Sequence, residues 1–83
     1  MRRTFEAESM LNRIISTNIQ VLMARRGINQ HDLADYFGIV PSSVNKRMTG
    51  RVEWKVSDLE KASEYFDVPV ETLIHEHWPE QYN

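Results

Sequence analysis

The stretch NQHDLADYFGIVPSSVNKRMTG, residues 29–50, constrains the chain more than any other. It reads as two short helices joined at Gly38, since glycine takes the left-handed backbone conformation that a tight turn demands. Ala34 is small where two helices must cross closely, and Leu33, Phe37, Ile39, Val44 and Met48 can close one small core beneath them. Pro41 suits the first turn of the second helix, where its missing N–H would be unpaired anyway, and Gly50 marks the exit.

The flanking residues read as further helices. Leu11, Ile14, Ile15, Ile19 and Leu22 fall on one helical stripe and predict a first helix over residues 5–26, with Glu6 and Glu8 near its start, Arg25 and Arg26 near its end and Gly27 as its stop. Asn29 with Asp32 three residues later predicts a variant capping box for the second helix. Ser57 followed by Glu60 predicts a capping box for a fourth helix ending near Phe66, with Leu59, Ala62, Tyr65 and Phe66 turned inward. Asp67-Val68-Pro69 is a break, and residues 70–77 read as a fifth helix before Pro79. The expectation is a single all-α domain spanning residues 1–83, with residues 1–4 as a basic arm and 79–83 as a short tail.

At 83 residues, a stable core requires several amphipathic helices to share it, which leaves little room for a large catalytic cleft or an inducer pocket. Without cysteine there is no disulfide or thiolate metal site, in keeping with a cytoplasmic protein. Arg2-Arg3-Thr4-Phe5 has the look of a twin-arginine export signal, but Glu6 and Glu8 follow at once and no apolar segment comes after. The most apolar run, residues 14–24, is interrupted by Ser16, Thr17, Asn18 and Gln20, far short of the roughly 20 apolar residues of a membrane span.

The net charge of −2 conceals a strong division. Residues 1–55 hold nine Lys or Arg against five Asp or Glu, a net of +4, and residues 56–83 hold one Lys against seven acids, a net of −6. Local charge, rather than the total, sets the field that a phosphate backbone meets. The basic half contains the two short helices.

At about 100° per residue, Val44 and Met48 define the buried side of the second of these helices, so that Ser42 and Lys46 point away from it with Ser43, Asn45 and Thr49 on the flanks. Asn can contact adenine through two bonds, Lys can donate to guanine, and Ser can serve either base, so this face can read a DNA groove. On an isolated helix the same residues would usually do no more than solvate an exposed surface. In a helix-turn-helix arrangement the second helix is the one that enters the groove, which makes Ser42, Ser43, Asn45, Lys46 and Thr49 the candidate base-reading residues. Arg47, Arg51 and Lys55 lie beside or just after that helix, where cations neutralise phosphates without reading sequence. Arg2 and Arg3 are candidates for an arm along the minor groove.

A Gln at the start of the first short helix, Ala four residues on, Gly four later and Val six later resemble the lambda-repressor and Cro-like helix-turn-helix family, also called XRE. The likeness runs over residues 22–74, and its second half, SSVNKRMTGRVEWKVSDLEKASEYFDVPVETLI, is similar to the phage and actinobacterial branch. The resemblance implies a five-helix, lambda-repressor-like fold and a transcriptional regulator that occupies a double-stranded DNA operator. It also implies phosphate binding by Gln30, helped by the exposed N–H groups at the start of its helix. Two residues depart from the family pattern: Val40 stands where many members carry a capping Ser or Thr, and Arg47 where many carry an apolar residue. Relatives commonly place two copies on half-sites, implying a weak homodimer, either free or formed only on DNA, for which Val70, Leu73, Ile74 and Trp78 are the candidate patch.

Trp54 leads into the fourth helix and is expected to plug the core rather than stack on a base. His75 and His77 are an i, i+2 pair that shares no helical face, and His31 has no expected partner near them, so no metal is expected. No nucleophile motif accompanies the acids of the last third, and neither catalysis, a cofactor, a small-molecule ligand nor a membrane is expected. The alternative is a protein-interaction module, of the antitoxin or anti-repressor type, that keeps the fold and uses the acidic C-terminal surface.

Overall fold

The computed structural model describes residues 2–77. Five helices follow in order: α1 (Arg2–Arg26), α2 (Gln30–Phe37), α3 (Pro41–Met48), α4 (Val56–Phe66) and α5 (Val70–Ile74). No strand occurs among the described residues, and the chain is an all-α globule.

α1 starts earlier than the sequence pattern predicts. Residues 2–4, expected as an arm, form its first turn, because nothing from Arg2 to Ala7 breaks a helix and Arg, Glu and Ala favour one. From Met10 onward, its buried apolar residues are Ile15, Ile19 and Met23. Leu11, expected on that stripe, is half exposed, as is its neighbour Met10. At its other end Arg26 lies over the Phe66 ring and donates to the Phe66 carbonyl at 2.6 Å, fastening α1 to the end of α4.

α2 opens as its capping pattern predicts: Asp32 N–H donates to Asn29 Oδ1 at 2.8 Å, and Asn29 N–H donates to Asp32 Oδ2 at 3.1 Å. It closes at Gly38, whose φ of 74° is left-handed and whose N–H reaches the carbonyls of Ala34 and Asp35. Ala34 is fully buried at the crossing. α3 then starts at Pro41 with no side-chain cap from Val40, and Thr49 ends it.

α4 begins before the predicted Ser57–Glu60 box. Lys55 is the N-cap residue, and its N–H donates to Asp58 Oδ2 at 2.9 Å. Asp58 takes that role because it is buried and already pinned by Arg47, whereas Ser57 and Glu60 are exposed. α5 stops at Ile74 rather than His77. The Asn18 side chain, buried in α1, donates to the carbonyls of Thr72, Leu73 and His75, supplying partners that another helical turn would have provided.

The core draws on every helix: Ile15, Ile19, Met23, Leu33, Ala34, Phe37, Val44, Ala62, Phe66 and Leu73, with Trp54 entering from the loop before α4. Burial of these side chains, at about 25 cal/mol per Å² of apolar surface, is what sets α2 against α3 and α4 and holds α3 on α1.

Candidate nucleic-acid interface

With Val44 drawn fully into the core, the opposite side of α3 faces solvent. Ser42, Asn45, Lys46 and Thr49 are all exposed there, and Ser43 is half-buried on the flank. Gln30, at the first position of α2, adjoins this face: Asn45 Nδ2 lies 3.5 Å from Gln30 Oε1, the outer limit of a hydrogen bond. The two amides are neighbours on the surface, so α2 contributes its first residue to the face that α3 presents. The Thr49 hydroxyl donates to the Asn45 carbonyl at 2.9 Å, an oxygen that also accepts the Thr49 backbone N–H, so the side chain is held against the end of α3.

The chain after α3 folds back on it. Arg51 N–H and Val52 N–H both donate to the Lys46 carbonyl, at 2.8 and 3.1 Å, and Gly50 makes the turn at φ 84°. Arg51 and Lys55 are exposed on this loop, while Trp54 between them points inward and donates from Nε1 to Ser16 Oγ at 2.9 Å. Lys46, Arg51 and Lys55 thus follow one another along α3 and the loop beyond it, with Glu53 as the exposed acid among them.

Arg47 requires a correction. Expected beside phosphate, it is buried: its Nε donates to Asp58 Oδ2 at 2.8 Å and its Nη1 to the Ser43 carbonyl at 3.0 Å. Its position three residues after Val44 puts it on the inner side of α3, and a guanidinium stays there only if it is paired and hydrogen-bonded. The i+3 spacing from Val44 was a signal in the sequence, but nothing marked Asp58 as the partner. Ser16 and Asn12 of α1 were also missed. Ser16 Oγ donates to the Arg47 carbonyl, and Asn12 Oδ1 accepts from Trp54 N–H at 3.0 Å.

The candidate dimer patch is likewise altered. Leu73 is completely buried in the core, Val70 and Ile74 are half-buried, and Trp78 lies outside the described residues. Arg2 and Arg3 belong to α1 rather than to an extended arm.

The acidic part of the chain occupies another surface, where Glu60, Glu64 and Asp67 border a shallow recess on α4. Beside it the Tyr36 hydroxyl donates to Glu64 at 3.2 Å and its ring stacks on Tyr65. Partial desolvation, then the hydrogen bond and charge of Glu64, push the Tyr36 phenol above its ordinary pKa. Among the described residues no group of three His, Cys, Asp or Glu is placed to hold a metal, and no helix is long and apolar enough to cross a membrane.

A family model described as the BetR domain matches residues 10–81. No match is found among curated proteins or among solved structures.

Proposed function

The chain belongs to the BetR domain family, a helix-turn-helix type of DNA-binding domain, and from that premise we propose that it is a sequence-specific transcriptional regulator acting on double-stranded DNA. In this reading it is a Cro-like protein or repressor of the XRE type, of phage or prophage origin, that works in the cytoplasm of a bacterial host by occupying an operator and obstructing polymerase. One observation carries the proposal: Ser42, Asn45, Lys46 and Thr49 share the exposed face of α3 and are joined there by Gln30 from α2.

α3 would lie in the major groove with Asn45 and Lys46 as principal base readers, Asn toward adenine and Lys toward guanine. Ser42, Ser43 and Thr49 would complete the reading. Gln30, Arg51 and Lys55 would meet phosphates on either side and fix the register, and the acidic α4 surface would face away from the backbone. Arg47 has no part in this contact set. The whole chain would act as one binding domain without catalysis, cofactor or small-molecule ligand. A pair of copies on half-sites about 34–36 Å apart would extend the short sequence that one helix reads.

Selection of bound duplexes from a random pool tests the proposal. Enrichment of a shared site is expected. A pool that emerges without one would replace this reading with the protein-interaction module.

A further inference from the structure

We propose that Arg47 and Asp58 form a positioning pair that locks the base-reading helix and the phosphate-facing loop into one register, so that discrimination between DNA sequences depends on two residues that do not touch DNA. The inference rests on the DNA-binding reading above and deepens it.

The geometry centres on one atom. Asp58 Oδ2 accepts from Arg47 Nε at 2.8 Å and from the Lys55 backbone N–H at 2.9 Å. Arg47 belongs to α3, the helix that presents Asn45 and Lys46, while Lys55 is the last residue of the loop that carries the exposed cations. A single carboxylate oxygen therefore ties the two halves of the proposed interface together. The guanidinium is fixed at a second point by the Ser43 carbonyl, and the Arg47 carbonyl by Ser16 on α1, so neither end of the residue can shift alone. Ser16 also accepts from Trp54, next to Lys55, which closes the network through the loop.

Stability alone is a weak reason for this arrangement. Well-packed apolar residues of similar volume commonly match or exceed a buried ion pair, because desolvating two charges offsets most of their attraction. What apolar side chains cannot supply is direction. The planar guanidinium has donors at fixed angles, and a misalignment of α3 against the loop would move Asn45 and Lys46 relative to phosphates held by Arg51 and Lys55.

The test uses the full chain and three variants: R47M/D58L, which keeps the volume and removes the pair; R47K, which keeps the charge and loses the fork; and D58N, which keeps an acceptor oxygen. Each is measured on the selected duplex and on a scrambled one, and the exchange rate of the Lys55 amide is read by NMR without DNA. R47M/D58L is expected to remain folded, to lose slow exchange at Lys55, and to discriminate about tenfold less well, the effect of one misaligned base contact. Its affinity for scrambled duplex should change little. R47K should show the same loss, and D58N, which leaves the buried guanidinium without its counter-charge, should keep slow Lys55 exchange through its amide oxygen while discriminating less well than wild type.

Retained discrimination in R47M/D58L would overturn the proposal whatever its Lys55 exchange, as would parallel loss on both duplexes. Should the double variant not fold, R47K decides: full discrimination in that variant refutes the pair. A wild-type protein that fails to distinguish the two duplexes would refute the DNA reading instead, while amide exchange still reports whether the pair fixes the loop.

Discussion

Replacing Gly38 with Ala isolates the backbone requirement of the turn between α2 and α3. At φ 74° and ψ 31° the residue is left-handed, and a Cβ added there meets no atom within 4 Å. The cost is therefore conformational and not steric. A left-handed L-residue costs roughly 1–2 kcal/mol, and the reduced freedom of the unfolded chain returns about 0.4–1 kcal/mol. The net expectation is a loss of up to about 1.6 kcal/mol, centred near 0.8 kcal/mol, which lowers the midpoint of thermal unfolding by roughly 3–6 °C at that centre for a domain of this size. Gly38→Asn should fall between wild type and Ala, since Asn tolerates this conformation better. Thermal and urea unfolding followed by circular dichroism measure both, and binding to the selected duplex at low temperature checks that the folded variant still presents α3. An Ala variant more stable than wild type would refute the strained-turn argument, and a loss above about 3 kcal/mol would mean that packing, not backbone strain, governs the site.

Four further outcomes follow from the placement of other side chains. Asn45→Ala and Lys46→Ala should each cost about 1–3 kcal/mol on the selected duplex and relax choice at particular base positions, read by repeating the selection; equal loss on every duplex would make them phosphate contacts. Arg51→Ala and Lys55→Ala should weaken binding on all duplexes and lower the magnitude of the salt slope by about 0.9 each, and unchanged slopes would remove them from the interface. Leu73→Ala should destabilise the fold by about 2–5 kcal/mol while leaving the sedimentation of the folded protein unchanged, whereas a stable variant with altered self-association would restore Leu73 to a dimer patch. Glu64→Gln should lower the Tyr36 pKa toward its ordinary value in a spectrophotometric titration, because it removes the negative charge that disfavours phenolate; no movement would show that the Glu64 charge is not a cause of the rise.

The parts of the fold that the sequence made legible are those where one residue type has one local reason to be present. Gly38, Pro41 and the Asn29–Asp32 pair act through backbone geometry and bonds within a few residues, so their roles were visible without knowing what packs where. Trp54 was legible as a core residue for a different reason, since a large apolar ring leading into an amphipathic helix has few other places to go. The misplacements arose where a distant partner overrides a local preference. Ser57–Glu60 is a sound capping pattern, yet α4 starts earlier because Asp58 is held by Arg47 from another helix. The fifth helix ends early because Asn18, more than fifty residues away in sequence, takes its carbonyls.

Arg47 shows why the same limit reaches the candidate site. An Arg in a basic helix beside Lys46 has the charge and the position of a phosphate contact, and what argued otherwise was its i+3 spacing from Val44 and the apolar residue that the resembled family commonly carries there. Burial of a guanidinium is unfavourable until a carboxylate meets it, and that carboxylate comes from the segment of net −6 that seemed, from charge alone, to belong wholly to another surface. The division between a basic half and an acidic half is thus incomplete inside the fold. One acid of the second half is spent neutralising one cation of the first, within the interior, and the exposed cations Lys46, Arg51 and Lys55 are left to set the field along α3 and its loop.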